Sequence, residues 1–234
     1  MTAPPVVSPK RALFAHLAIV AQALAHQHRL ELIDLLSQGE HSVEVLARRT
    51  GLSIANTSQH LQLLRRSGVA RARRDGRYVY YRVSDDDVVT LVERLRQVGE
   101  GHPPEMLLLL AEHLTPLDPL PAVTAEALLP RLARGEVTCI DARPADEYHQ
   151  GHIAHAVNVP PGTVDDHLAA LPREQPIIAY CRGPYCTYSF EAVARLRRLG
   201  YDVHRLELGF PQWRAAGYPV AVDAAVQPGQ GAHN

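Results

Sequence analysis

The stretch IIAYCRGPYCTYSFEAVARLRRLG, residues 177–200, decides the fold of the second half of the chain. Its first residues are apolar and typical of a buried strand, whereas the residues from Thr187 have the spacing of a helix that ends at Gly200. The short loop between strand and helix places Cys181 where the strand ends. A strand that leads directly into a helix is typical of a mostly parallel sheet covered by helices.

Strands and helices alternate through the rest of the second half, which predicts an α/β domain at residues 122–222. Further strands are predicted at residues 137–141 and 203–206. A helix is predicted at residues 124–134, with a bend at Pro130.

The first half has a different pattern, mainly α, with one hairpin. Ser42 and Ser53 are predicted helix N-caps, and Gly51 separates the two helices that they begin. Asp75-Gly76 is a hairpin turn signal between two short alternating segments. Helical periodicity covers residues 11–37, 43–50, 54–67 and 85–97, and the strands are predicted at residues 69–72 and 78–83.

These patterns predict two domains, a winged helix-turn-helix at residues 11–100 and the α/β domain at residues 122–222. We expect the chain ends, residues 1–10 and 223–234, to be disordered. Residues 101–121 are expected to be a helix and a linker. Within and beside this segment we predict a hinge, a helix and a proline-rich linker, at residues 99–104, 105–114 and 115–121.

The charge is unevenly distributed along the chain. Residues 42–82 contain nine arginines and two acids, a net charge of +7, so that the remainder carries −8 in a chain of net charge −1. A basic block in an otherwise acidic protein favours a polyanion partner for one domain. A solvated basic face is the alternative.

Several protein classes are disfavoured. No apolar run approaches the roughly 20 residues of a membrane helix, and the N-terminus lacks the order of a secretion signal. We therefore expect a soluble, cytoplasmic protein without a membrane partner. The three cysteines, an odd number, argue against a structural disulfide framework.

In a winged helix-turn-helix, the second helix of the pair enters the major groove and its early residues meet base edges. Small and amide side chains stand at these positions, and asparagine or glutamine can bind adenine with two hydrogen bonds. The opposite face, with Thr57, Leu61 and Leu64, is expected in the core. The candidate base contacts are Ala55, Asn56, Ser58 and Gln59. The candidate phosphate or minor-groove contacts at the hairpin tip are Arg73, Arg74 and Arg77.

Residues 26–83 resemble the ArsR/SmtB family of bacterial repressors. The resemblance implies a homodimer, paired through the first and last helices, that binds a two-fold double-stranded operator. Metal-sensing members carry a cysteine pair where this chain has Ser42 and Glu44, so we expect no metal site here. His60 is interpreted as a structural residue beside the DNA backbone, and His26 and His28 as helix-boundary residues.

The loop from Cys181 to Cys186 is suited to sulfur chemistry. The positive end of the following helix and free backbone N–H groups both favour a thiolate at Cys181. Arg182 adds a positive charge, and Gly183 permits a curled backbone whose N–H groups point inward. Such a loop could hold a thiolate, a persulfide or a small oxyanion.

Residues 122–219 resemble a single-domain rhodanese, a sulfurtransferase fold without a cofactor. The matching stretches are DARPADEYHQGHIAHAVNVP (141–160), the loop CRGPYC (181–186) and LELGFPQWRAAGYPV (206–220). The resemblance implies that Cys181 accepts a sulfane sulfur from thiosulfate or a persulfide and passes it to a thiol acceptor.

The resemblance also assigns supporting residues. Arg182 would help to bind the anionic donor, and buried hydrogen bonds from Asp141, Arg143 and Glu147 would brace the site. The loop has the six-residue length of sulfurtransferases, and Thr187 stands where related phosphatases have an arginine. Cys186, at the last loop position, departs from the family and makes a disulfide with Cys181 conceivable. Core roles are expected for Cys139, Phe210 and Trp213, and no metal role for His149, His152 and His155.

Three functional hypotheses remain open. The first is a sulfur-responsive repressor in which modification of Cys181, with or without Cys186, changes operator binding. The second is a sulfurtransferase whose DNA-binding half controls its own gene. The third is a regulator that captures a thiophilic ion such as arsenite with both cysteines, which two thiols alone support least.

Overall fold

The computed structural model describes residues 8–101 and 104–223. The chain divides into two compact units, Met1–Val88 and Val89–Asn234. The disorder expected at residues 1–7 and 224–234, and residues 102 and 103 of the expected hinge, lie outside the described residues. In the described part of the chain, no helix has both the length and the apolar character that a membrane span requires.

The first unit is a winged helix-turn-helix whose three strands form an antiparallel sheet in the order β1-β3-β2. Helix α5 begins at the end of this unit and continues into the second. The elements are α1 (Pro9–Leu24), α2 (Gln27–Gln38), β1 (His41–Ser42), α3 (Val43–Thr50), α4 (Ile54–Arg66), β2 (Ala70–Asp75), β3 (Tyr78–Val83) and α5 (Asp86–Gly101).

The helix N-caps and the buried face of α4 in the helix-turn-helix are those predicted from the sequence. Ser42 Oγ accepts a hydrogen bond from the backbone N–H of Val45, and Ser53 Oγ accepts one from the N–H of Asn56. Gly51 ends α3 with φ +70°, a conformation that glycine adopts without strain. Thr57, Leu61 and Leu64 are completely buried, so α4 presents its other face to solvent.

One local prediction in this unit was confirmed and one was wrong in detail. The helical pattern at residues 11–37 forms two helices, and the boundary expected at His26 and His28 is confirmed, because His26 begins α2 as an N-cap whose Nδ1 accepts a hydrogen bond from the N–H of His28. The hairpin turn lies one residue further along than predicted. Asp75 pairs with Tyr78 in the ladder, which leaves Gly76 and Arg77 as the two turn residues.

The predicted hinge at residues 99–104 was also wrong over its described part, because α5 continues without a break to Gly101. Arg96 accounts for this continuation, since its guanidinium donates to Glu93 and Glu100 on the same helix. Ion pairs at i, i+3 and i, i+4 spacing offset part of the helix-weakening effect of Gly99.

In the second unit, helices cover a four-stranded parallel sheet in the order β6-β4-β7-β8. A short antiparallel pair, β5 with β9, lies beside it. The helices are α6 (Pro104–His113), α7 (Ala125–Ala133), α8 (Ala145–Gln150), α9 (Val164–His167), α10 (Thr187–Arg198) and α11 (Phe210–Ala215). The strands are β4 (Thr138–Asp141), β5 (His152–Ile153), β6 (Val157–Asn158), β7 (Ile177–Tyr180), β8 (Val203–Arg205) and β9 (Val220–Ala221).

The alternation of side chains along the central strands builds one core on each face of the sheet. Ile177 and Ala179 pack with Val193 on one face, whereas Ile178 and Tyr180 pack with Trp213 on the other. The core positions expected for Cys139, Phe210 and Trp213 are therefore confirmed.

The proline-rich segment at residues 115–121, expected to be a linker, contains a buried anchor. Asp118 is 4% exposed and accepts hydrogen bonds from Arg197 at 2.6 Å and from Arg205 at 2.8 Å. Burial alone would raise the pKa of Asp118, but the hydrogen bonds from the two guanidinium groups hold it below its ordinary value. The carboxylate thus stays charged and fixes this segment to α10 and β8.

We expect Asp118→Asn to lower the free energy of unfolding by about 2 kcal/mol, because two half-buried guanidinium groups lose their charged partner. The measurement is urea denaturation. Asp165→Asn is the matched control, because the Asp165–Arg195 pair is exposed on both sides and should contribute less than about 1 kcal/mol. Equal effects of the two substitutions would contradict the assigned anchor.

Candidate functional site

The structure brings Cys181 and Cys186 together. Cys181 directly follows β7 and is 3% exposed, whereas Cys186 occupies the N-cap position of α10. Their sulfurs form a disulfide, with the two Cα atoms 6.2 Å apart. The two thiols that the sequence placed at the ends of one loop are thus within bonding reach of each other.

Backbone hydrogen bonds shape this loop. The N–H of Phe210 donates to the carbonyl oxygen of Cys181, and the N–H of Cys186 donates to that of Gly183. Thr187 is exposed and begins α10. The positive end of α10 therefore lies first at Cys186, where it favours a thiolate once the disulfide is opened.

Gly209 supports the first half of the loop and was missed by the sequence analysis. A Cβ atom at this position would lie 2.2 Å from the carbonyl oxygen of Arg182 and 2.5 Å from the Cα of Gly183. Only glycine permits so close an approach of two backbones. The sequence signal for Gly209 was its position in the stretch LELGFPQ, which is part of the resemblance to rhodanese.

The guanidinium of Arg182 is paired with a carboxylate. Its guanidinium donates to both carboxylate oxygens of Glu147, at 2.5 Å from Nη2 to Oε1 and 2.9 Å from Nε to Oε2. Glu147 is fully buried, so the pair holds the loop against α8. In this state the Nε and Nη2 groups of Arg182 are engaged by Glu147, and the role of Arg182 in binding an anionic donor remains a prediction.

A buried network lies beneath the loop at the carboxyl ends of β4 and β7. Arg143 donates to Asp141 at 2.6 Å and to the carbonyl oxygen of Gly151 at 2.7 Å. The hydroxyl of Tyr180 donates to the same carboxylate at 2.6 Å. Burial, followed by the charge of Asp141, raises the pKa of Tyr180, which remains a donor. This network joins the two strand ends from which the loop starts.

The remaining thiol and the histidines lie outside this arrangement. Cys139 is buried in β4, and burial raises the pKa of its thiol, so it stays protonated. His149 pairs with Asp223 at 2.7 Å, and His152 stacks on Tyr148. Among the residues that the structure describes, no group of three or more His, Cys, Asp or Glu side chains is arranged to hold a metal ion.

The candidate base-reading residues stand together on the first turns of α4. Ala55, Asn56 and Gln59 are exposed, and Ser58 is half-buried, where its hydroxyl accepts a hydrogen bond from Gln62 at 3.3 Å. The amide groups of Asn56 and Gln59 therefore face solvent, as base contacts require. Their contact with DNA remains a prediction.

The arginines of the hairpin differ from one another. Arg73 donates to Glu40 at 2.6 Å and to Asp75 at 3.0 Å, which raises the pKa of its guanidinium, and its contact with phosphate remains a prediction. Arg74 donates to the carbonyl oxygen of Gly76, and Arg77 donates to the hydroxyl of Tyr78. Arg74 and Arg77 thus carry the positive charge of the tip.

His60 packs in a cluster of histidine rings. Its ring centroid lies 4.7 Å from that of His26 and 6.0 Å from that of His28. Partial burial, and then electrostatic interaction with His26, Arg29 and His28, lowers the pKa of His60. The neutral ring thus packs against the start of α2, and its position beside a DNA backbone remains a prediction.

Known proteins match both units. Residues 24–72 match the family model of a helix-turn-helix domain, and residues 124–216 match that of a rhodanese-like domain. The HTH-type transcriptional regulator Rv0324 of Mycobacterium tuberculosis is 41% identical over 220 residues, 94% of this chain and 96% of that protein. The sequence-based assignment to a winged helix-turn-helix joined to a rhodanese-like domain is confirmed.

Solved structures match one unit each. A homodimeric winged helix-turn-helix DNA-binding domain from Mycobacterium bovis, described as a possible ArsR-family transcriptional regulator, is 38% identical and covers 44% of this chain and 93% of its own, with a TM-score of 0.39. A rhodanese-related protein from Thermoplasma volcanium is 26% identical and covers 44% of this chain and 100% of its own, with a TM-score of 0.40.

We expect Gly209→Ala to destabilise the chain by roughly 1–3 kcal/mol and to slow formation of the Cys181–Cys186 disulfide, because the new methyl group displaces the loop. Urea denaturation and thiol titration measure the two effects. Gly99→Ala is the control, since nothing lies within 4 Å of its added Cβ and it sits in a helix. A Gly209→Ala protein with unchanged stability and disulfide formation would contradict the close backbone contact.

Proposed function

Because the chain belongs to the family of HTH-type transcriptional regulators that carry a rhodanese-like domain, we propose that sulfane sulfur, arriving at Cys181, controls its binding to operator DNA. The observation that carries the proposal is the position of Cys186, within disulfide reach of Cys181. A second thiol at this distance converts a sulfur-carrying loop into a switch with two stable covalent states.

Charge and exposed apolar faces support DNA binding by a homodimer. The +7 block at residues 42–82 includes α4 and the hairpin, where a phosphate backbone would be met. Helix α1 exposes Leu13, Phe14 and Leu17. Helix α5 exposes Leu91 and Leu95 at helical spacing. Apolar stripes of this kind are typical of helices that pair with a second copy of the chain.

The proposed chemistry has two balanced steps. The Cys181 thiolate attacks the terminal sulfur of a persulfide, R–S–SH, which gives the Cys181 persulfide and releases the thiolate R–S⁻. The Cys186 thiolate then attacks the Sγ atom of Cys181, forms the disulfide and releases HS⁻. The two protein thiols lose two electrons, and the sulfane sulfur is reduced to sulfide.

Sulfurtransferase activity is the second candidate, and the rhodanese-like domain supports it. The Cys181 persulfide would then pass its sulfur to an external thiol before Cys186 attacks. Two features favour the switch. The charge of Arg182 is offset by Glu147, which weakens the attraction of its guanidinium for a thiosulfate donor. Cys186 is also far closer to Cys181 than a diffusing acceptor would be. Capture of a thiophilic ion remains weakest, with two thiols in the site.

We expect the reduced protein, treated with an organic persulfide, to lose the mass of two hydrogens and to release sulfide. Cys186→Ser should stop at the first step and gain the mass of one sulfur atom, while Cys181→Ser should do neither. Intact-mass spectrometry of each variant checks this. Cys139→Ala serves as the control and should behave as the wild type, since Cys139 is buried away from the loop.

In the same samples, conversion to the disulfide should change the dissociation constant for the operator by about fivefold or more, the usual scale of coupling between sites. Fluorescence anisotropy with labelled operator DNA measures it. Operator affinity that stays the same while the disulfide forms would refute the switch. If operator affinity stays constant and the protein also transfers sulfur rapidly to an external thiol, the sulfurtransferase hypothesis is favoured.

A further inference from the structure

Tyr185, between the two cysteines in sequence, connects the loop to α5. Its hydroxyl donates to Glu100 Oε1 at 2.6 Å, and the guanidinium of Arg96 lies 6.0 Å from the centre of its ring. Burial, followed by the hydrogen bond and charge of Glu100, raises the pKa of Tyr185. The phenol therefore keeps its proton and remains a hydrogen-bond donor at neutral pH.

The contact is made to a network of charged groups along α5. Arg96 donates to Glu100 at 2.6 Å and also to Glu93, and all three side chains are half-buried. Gln212, on α11, hydrogen-bonds Glu93 as well. The loop residue Tyr185 and Gln212 therefore contact the same helix at two points that lie about two turns apart.

The two halves of the loop are held differently. Arg182 is fixed by Glu147, and Gly183 lies against the backbone of Gly209. Pro184 and Tyr185 instead border a cavity of about 420 Å³ that the α5 network also lines. When the disulfide opens, the second half of the loop is thus the part with room to move.

We infer that Tyr185 transmits the covalent state of Cys181 and Cys186 to α5, through its hydrogen bond to Glu100. Helix α5 is continuous from Asp86, in the DNA-binding unit, to Gly101, just beyond this contact. A helix transmits a displacement at one end along its length, since its backbone hydrogen bonds form one ladder. The inference rests on the proposed function and adds the residue that couples the site to DNA.

The test uses Tyr185→Phe in the full-length protein, which deletes the hydroxyl and keeps the ring. Intact mass should show disulfide formation as in the wild type. The ratio of operator dissociation constants between dithiol and disulfide forms should fall from fivefold or more in the wild type to less than twofold. Hydrogen exchange of the amides at residues 96–101 should differ between the two wild-type forms and become equal in the variant.

Tyr218→Phe is the matched control, because the Tyr218 hydroxyl also donates to a glutamate, Glu126, at 3.2 Å and lies outside the loop. The Tyr218→Phe protein should keep the difference in operator affinity between the dithiol and disulfide forms, and the difference in hydrogen exchange at residues 96–101. A Tyr185→Phe protein that keeps the full operator response overturns the inference and leaves the proposed function standing. A wild type whose α5 exchange responds while its operator affinity does not overturns the proposed function alone. A wild type without either response overturns both.

Discussion

The site depends on the buried ion pair between Asp141 and Arg143, both with fully buried side chains. Removing one partner would leave an uncompensated charge in the core, which costs about 3–5 kcal/mol in comparable cases. The pair ties the end of β4 to the end of β7 through the hydroxyl of Tyr180. Because Cys181 is the residue after Tyr180, the ion pair helps to set the position of the Cys181 sulfur. The guanidinium of Arg143 also lies 4.2 Å from the ring centre of Phe210, whose N–H holds the Cys181 carbonyl.

A second ion pair, between Arg182 and Glu147, contributes to the electrostatics of the Cys181–Cys186 loop. Glu147, a buried residue of α8, engages the guanidinium of Arg182 and offsets its charge, while the N-terminus of α10 contributes a positive dipole end at Cys186. This dipole favours a thiolate at the loop.

The sequence predicted what short-range patterns encode. Ser42, Ser53 and Gly51 mark helix ends by their own backbone preferences, and the burial of Thr57 follows from helical spacing. It also placed Cys181 at the end of a strand in a mostly parallel sheet, because strand and helix are adjacent in sequence. Contacts between distant positions were not predicted. They include Asp118 with Arg197, Arg182 with Glu147, Tyr185 with Glu100 and Arg73 with Glu40. Neither periodicity nor local spacing contains the partner of such a group. The continuation of α5 through Gly99 was also not predicted, although the pairs of Arg96 with Glu93 and Glu100 that support it are local in sequence.

In the proposed function, the covalent state of the Cys181–Cys186 pair determines the affinity of the protein for operator DNA. The most direct measurement is a redox titration of the full-length protein in thiol–disulfide buffers. Each sample is divided, with the disulfide fraction determined by alkylation and mass, and operator binding by anisotropy. We predict that the curve of disulfide fraction and the curve of operator binding share one midpoint. We also predict that Cys186→Ser abolishes the change in operator binding. Operator binding that stays constant while the Cys181–Cys186 pair goes from fully reduced to fully oxidised would contradict it.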